Sequence, residues 1–164
     1  MSSIDSKSVP SAKADDCTRE QIDPRGPRFG GAITTVVLAL ALVLIGTTAG
    51  TVLIAWQTLV FALGAIVGLQ AQPYGIVFRR LIRPRLAPPA EMEDAAPPRF
   101  AQAVGLAFLV VALVASLLGV TVVATVAVAF ALAAAFLNAA FDFCLGCEMY
   151  LLGKRLAHRQ APPN

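Results

Sequence analysis

Residues 31–48 read GAITTVVLALALVLIGTT, an apolar run without a single charge. It lies inside a longer gap, because no charged residue occurs between Arg28 and Arg79. A second gap separates Arg99 from Asp142. A membrane span needs about 20 apolar residues, so each gap holds two. The chain has 164 residues, of which 57% are hydrophobic and 14% charged, against about 25% charged in an ordinary soluble domain. These features predict an all-α integral membrane protein with four transmembrane helices over residues 31–48, 51–69, 100–118 and 121–143. The segments do not alternate apolar and polar residues as the strands of a membrane barrel would.

The turns near Gly50 and Gly119 are short and built from small residues, which predicts two tight helical hairpins. All 13 Lys and Arg residues fall before Gly30, between Arg79 and Arg99, or from Lys154 onward, and neither turn has one. By the positive-inside rule this places both termini in the cytoplasm and the protein in the plasma (inner) membrane. The expected layout is a disordered cytoplasmic tail over 1–21 and a membrane domain over 22–152. That domain holds a basic, Pro-rich connector over 72–99, and a basic tail covers 153–164. Juxtamembrane placement accounts for the cations without a nucleic acid, so the lipid bilayer is the expected partner. The N-terminal stretch has no apolar core before Ile33, so it does not read as a cleaved signal.

The chain echoes itself. PRFGGAI opens at Pro27 and PRFAQAV at Pro98, and each precedes a hairpin and then a basic pair, RRL at Arg79 or KRL at Lys154. A parallel duplication explains this. So does simple mechanics, since Pro suits a first helical turn and Arg and Phe suit the interface. Gly64 and Gly68 on the second span have the small-xxx-small spacing of closely packed helices. The glutamines look too scattered to define a path, and Trp56 and Tyr74 read as interfacial anchors.

The candidate site lies in FDFCLGCEMY, residues 141–150. Cys144 and Cys147 share one face if the segment is helical. The spacing suits a dithiol–disulfide couple, and Gly146 between them is placed to break the helix or let the turn deform. If the fourth helix simply continued, its C-terminal dipole would oppose a thiolate; a new helix starting near Cys144 would reverse that sign. Asp142 and Glu148 are expected to raise the thiol pKa values unless Arg99 or Lys154 offsets them. Asp142 itself is a candidate for an ion pair with Arg28 or Arg99, or for a proton relay, and Asn138 shares its helix face. A zinc site would need further ligands, and only Cys17 and His158 remain, so no metal or other cofactor is called for. The competing reading takes both cysteines as small packing residues.

The stretches DPRGPRF, PYGIVFRRLIRPRL, PPAEMEDAAPPRFAQAVG and AAFLNAAFDFCLGCEMYLL resemble the bacterial membrane family known as domain of unknown function 4395. The resemblance spans roughly residues 22–152 and includes Arg28, Arg99, Asn138, Cys144, Gly146 and Cys147. It implies a four-helix membrane protein ending in Cys-Leu-Gly-Cys, with no assigned reaction. It also implies an association with thioredoxin-like or rhodanese-like soluble proteins, and this favours dithiol chemistry over packing. Whether the chain is an enzyme stays open. The alternatives are a non-enzymatic anchor or subunit for a soluble partner, and a small permease, which four helices would form only as a homo-oligomer.

Overall fold

The computed structural model describes residues 20–89 and 91–159. The polar tail with Cys17, and the side chain of His158, lie outside the described residues. The Glu20 carbonyl accepts the Ala95 N–H at 2.9 Å. The chain opens with β1 (Gln21–Ile22), which pairs antiparallel with β2 (Glu93–Asp94). The long helices are α1 (Arg25–Val43), α2 (Thr48–Ala62), α4 (Ala96–Leu117) and α5 (Thr121–Phe141). A π-helical segment, Leu63–Val67, prolongs α2. Short α3 (Pro73–Val77) follows it, and α6 (Leu145–Arg159) closes the chain.

Four helices are long and apolar enough to cross a membrane: Arg25–Val43, Thr48–Val67, Ala96–Leu117 and Thr121–Phe141. The 22 residues of α4 reach about 33 Å at 1.5 Å per residue, matching a hydrocarbon core of about 30 Å. Outward-facing Val36, Leu40, Val52, Leu59, Val111 and Val126 are exposed, as lipid-facing positions should be.

The helix boundaries differ from those the sequence predicts. The first and third spans start earlier because Asp23 and Asp94 each turn the chain into its helix. Asp23 Oδ1 accepts the Arg25 N–H at 3.0 Å, and Asp94 Oδ1 accepts the Ala96 N–H at 2.9 Å. Pro27, Pro97 and Pro98 are then absorbed near the helix start, where a missing N–H costs nothing. The first span ends at Val43, the chain turns through Gly46 in the left-handed region (φ 81°), and Thr47 caps α2 by accepting the Gly50 N–H at 3.2 Å. Gly68 does not pack a helix: its φ of 121° ends the second span. Gly64 does pack, since an added Cβ would meet Gln102 Oε1 at 3.0 Å. The stretch expected as a connector is largely structured, with α3, a second π segment (Phe78–Ile82), a 3₁₀ turn (Arg83–Arg85) and β2. The tail expected from residue 153 is helical to Arg159.

The long helices form a ring in which α1 and α4 each touch α2 and α5, and α1 packs most extensively on α5. Contacts recur between the two halves. Arg28 Nε donates to Ala139 O at 3.3 Å, and Arg99 Nε donates to Ala65 O at 2.9 Å. Phe29 stacks on Phe78 and Phe100 on Tyr150, with centroids 5.9 and 5.8 Å apart. Gly31 faces Asn138 across one seam, and Gly64 faces Gln102 across the other. An approximate two-fold axis along the bundle would produce this pattern, which gives the sequence echo a three-dimensional counterpart.

The core is apolar around Leu38, Ile54, Leu109 and Val128, but a polar chain crosses it. Trp56 Nε1 donates to Tyr74 Oη (3.1 Å), Tyr74 Oη to Gln57 Oε1 (3.0 Å), and Gln57 Nε2 to Thr34 Oγ1 (3.0 Å). Gln57 is fully buried and Tyr74 is buried, so Tyr74 is a core residue tying α3 to the bundle rather than an interfacial anchor. Side-chain hydrogen bonds between membrane helices contribute about 0.6 kcal/mol on average, up to about 1.7. Gln57→Leu removes two and should cost about 1–2 kcal/mol in reversible unfolding in mixed micelles. Thr125→Val, which only loses a bond to Thr121 O within α5, should leave stability unchanged. Equal losses in both variants would contradict the structural role of the chain.

Candidate functional site

The fourth span stops before the cysteines. Asp142 adopts the left-handed conformation (φ 57°), the one described non-glycine residue with positive φ. Aspartate tolerates that region better than most side chains. The turn folds back so that the Phe143 N–H donates to Leu137 O at 3.3 Å. The break therefore falls at Asp142 and not at Gly146. A new helix, α6, begins at Leu145, and the Glu148 N–H donates to Cys144 O at 3.0 Å, the first bond of that helix. Cys144 stands at the N-cap, and its Sγ accepts the Cys147 N–H at 3.4 Å. A sulfur here does what a Ser or Asp oxygen does at other helix starts.

Gly146 has a different role from a hinge. It lies buried where α6 crosses α4, and an added Cβ would come within 2.5 Å of Ala101 Cα. This close crossing, with the Phe100–Tyr150 stack one turn further on, fixes α6 against α4 and so fixes both thiols. Cys144 and Cys147 are free thiols, each partly exposed.

The two sulfurs have opposite electrostatics. A hydrogen bond from the Cys147 thiol lowers the Cys144 pKa to about 7, helped by the backbone N–H groups of Cys147 and Gly146; burial and Glu148 oppose this. The same bond to Cys144 pushes Cys147 far up, reinforced by burial and by the charges of Cys144, Glu93 and Glu148. The dipole sign is thus the one that favours a thiolate on Cys144. The acid that joins Glu148 in raising Cys147 is Glu93 of β2, not Asp142.

Asp142 is exposed and lies 3.8 Å from Arg28 Nη1. Arg99 goes elsewhere, with Nη2 donating to Ile66 O at 2.7 Å beside its bond to Ala65 O. Asn138 Nδ2 makes a long bond to Pro27 O at 3.4 Å. Two spaces meet at Cys144. A cleft of about 430 Å³ contains both thiols together with Glu93, Asp94, Asp142 and Glu148. A mostly apolar cavity of about 270 Å³ runs from Cys144 between α4 and α5, past Phe108 and Phe130. Among the described residues, no group of three or more His, Cys, Asp or Glu side chains is placed to hold a metal.

A family model described as Domain of unknown function (DUF4395) matches residues 22–155. The chain belongs to this family. No curated protein and no solved structure matches it. In this DUF4395 chain the matched region takes in β2, all four spans and the whole cysteine site.

Because Cys144 titrates near pH 7, its alkylation by iodoacetamide should rise with pH to a plateau with a midpoint at about 7, below the usual ~8.5 of a free cysteine. Cys147→Ala removes the largest cause and should move the midpoint up toward that ordinary value. A native midpoint at or above ~8.5 would contradict the assignment of Cys144 as the thiolate.

Proposed function

We propose that the protein is a membrane-embedded thiol–disulfide exchanger in which Cys144 is the attacking sulfur and Cys147 the resolving one. The single observation behind this reading is the restart of the helix after Asp142, which sets Cys144 at a helix N-terminus with Cys147 in hydrogen-bonding reach. Thiolate character and access govern exchange rates, and this arrangement supplies both. The Cys144 thiolate attacks a partner disulfide, an S–S bond forms between the two proteins, and the partner's other sulfur leaves as a thiolate. Deprotonated Cys147 then attacks Cys144, which closes the intramolecular disulfide and frees the partner's second thiol. Run backwards, the same steps reduce the pair.

The partner in this proposal is a thioredoxin-like or rhodanese-like soluble protein. It reaches the cleft from the end of the bundle where Arg25, Arg28, Arg79, Arg83 and Arg99 gather, while the turns at the other end lack cations. That asymmetry supports placing this end in the cytoplasm and the protein in the inner membrane. In a reducing cytosol the pair would rest as the dithiol. Asp142 acts here as the partner of Arg28 in holding the turn that precedes Cys144. The acidic rim of the cleft would select a partner with a basic or neutral surface around its own cysteine.

The test uses the full-length protein in detergent and a small aromatic disulfide such as dithiodipyridine. The native protein should end with a Cys144–Cys147 disulfide and no retained pyridyl group on the 144–147 peptide. Cys147→Ser should retain the pyridyl group on Cys144. If Cys147→Ser and the native protein retain it equally, Cys147 does not resolve and the exchange reading fails.

A further inference from the structure

The apolar cavity beside Cys144 has an apolar neighbour. Phe108 and Phe130, whose ring centroids lie 6.0 Å apart, line it and also line a second apolar groove of about 450 Å³. The second groove continues along α4 and α5 past Val111, Val126 and Val123. The two spaces adjoin along one seam of the bundle with the Phe108–Phe130 pair as their shared wall, one toward the cysteine end and the other toward the opposite turns. Their exposed edges include Phe108, Phe130, Val123 and Val126, so they open where lipid would lie. The cysteine end is different: the amides of Gln102 and Asn138 and the Cys144 sulfur line it there. Gln102 Oε1 is occupied by Gln72 Nε2 at 3.2 Å, which leaves its own amide N–H groups to donate.

This layout has a polar, hydrogen-bonding head beside a nucleophilic thiol and a long apolar tail channel. A phospholipid acyl chain would fit the tail channel but would have no use for the thiol. A water-soluble disulfide would meet the thiol from the acidic cleft but would have no use for the channel. The occupant that uses both is an amphiphile with a two-electron, carbonyl-bearing head. We infer that the groove between α4 and α5 takes a lipid-soluble quinone, and that the quinone is the electron acceptor for the Cys144–Cys147 dithiol. The inference rests on the exchange reading above and names its second substrate.

The step balances. The Cys144 thiolate adds to a ring carbon of the quinone and forms a C–S bond, while the ring carbonyls take up charge toward the Gln102 and Asn138 amides. The Cys147 thiol loses its proton and attacks the Cys144 sulfur. The S–S bond forms, the C–S bond breaks, and its electron pair stays with the ring, which leaves as the quinol after gaining two protons. The dithiol loses two electrons and two protons, and the quinone gains them. A soluble dithiol protein then reduces the disulfide by exchange from the cleft. Cys144 faces both spaces, so one sulfur serves both half-reactions.

The experiment places the reduced full-length protein in lipid nanodiscs and follows the 144–147 disulfide by mass spectrometry with three oxidants: a decyl-tailed benzoquinone, a tailless benzoquinone and water-soluble dithiodipyridine. Val123→Trp blocks the distant tail groove at an already exposed position, and Ala134→Trp narrows the head cavity. The tailed quinone should oxidise the native pair and yield quinol. Val123→Trp should slow the tailed quinone by up to about a hundredfold, the scale of a misplaced reactant, and leave the tailless quinone and dithiodipyridine unchanged. Ala134→Trp should slow both quinones and spare dithiodipyridine. Oxidation by dithiodipyridine but not by either quinone overturns this inference and leaves the exchange reading standing. Quinone oxidation that neither tryptophan slows overturns the groove as the site. Failure of all three oxidants overturns the exchange reading itself.

Discussion

Two arginines hold the cysteine end of the bundle together. A helix ends with carbonyls that have no partner along the chain, and near a membrane boundary water cannot be relied on to supply one. Arg28 reaches from α1 to Ala139 O near the end of α5, and Arg99 reaches from α4 to Ala65 O and Ile66 O at the end of the second span. Each half thus finishes the other half's second helix, and the positive guanidinium sits at the negative end of a helix dipole. With α5 closed by Arg28, the chain is free to turn at Asp142 beside the same guanidinium. That turn is what lets α6 begin at the cysteines. The site chemistry therefore rests on a capping interaction about a turn away from the sulfur.

The two halves repeat one plan and then diverge at one place. In each, a further helix starts just beyond the second span and packs back on the first helix of its own half, α3 on α1 and α6 on α4. Gln72 stands at the start of α3, and Cys144 stands at the start of α6. The first half closes its position with buried amide and phenol hydrogen bonds and lines its own small cavity with Arg79 and Arg83. The second half has thiols and carboxylates at the corresponding cleft. One half closes its cleft with hydrogen bonds, and the other leaves its thiols partly exposed.

Much of this was legible in the sequence, for physical reasons. A charge cannot be hidden in hydrocarbon cheaply, so the gaps between Arg28 and Arg79 and between Arg99 and Asp142 reveal the spans. The presence of two cysteines three residues apart at the end of the last span was also plain. The helix break was not, because Phe-Asp-Phe-Cys has neither Gly nor Pro and an aspartate in the left-handed region leaves no pattern. Gly146 looked like the hinge because glycine is the usual signal for one, whereas here it permits close contact with Ala101. The Trp56–Tyr74–Gln57–Thr34 chain was invisible because its members sit on three helices, and only packing brings them together. The tail groove had no signal either, since a run of Val and Ala reads the same whether it faces lipid, a helix or a ligand.

Thiol chemistry at Cys144 is the claim on which the functional account stands, and its most direct measure is the equilibrium of the pair itself. The full-length protein is equilibrated in glutathione buffers of graded potential, quenched with acid, and the 144–147 peptide is weighed. The account predicts one transition between a dithiol and an intramolecular disulfide, with the two-electron slope of such a couple. If glutathione instead remains attached to Cys144, Cys147 does not resolve it; if both thiols stay reduced across the series, the cysteines are packing residues; either result contradicts the account.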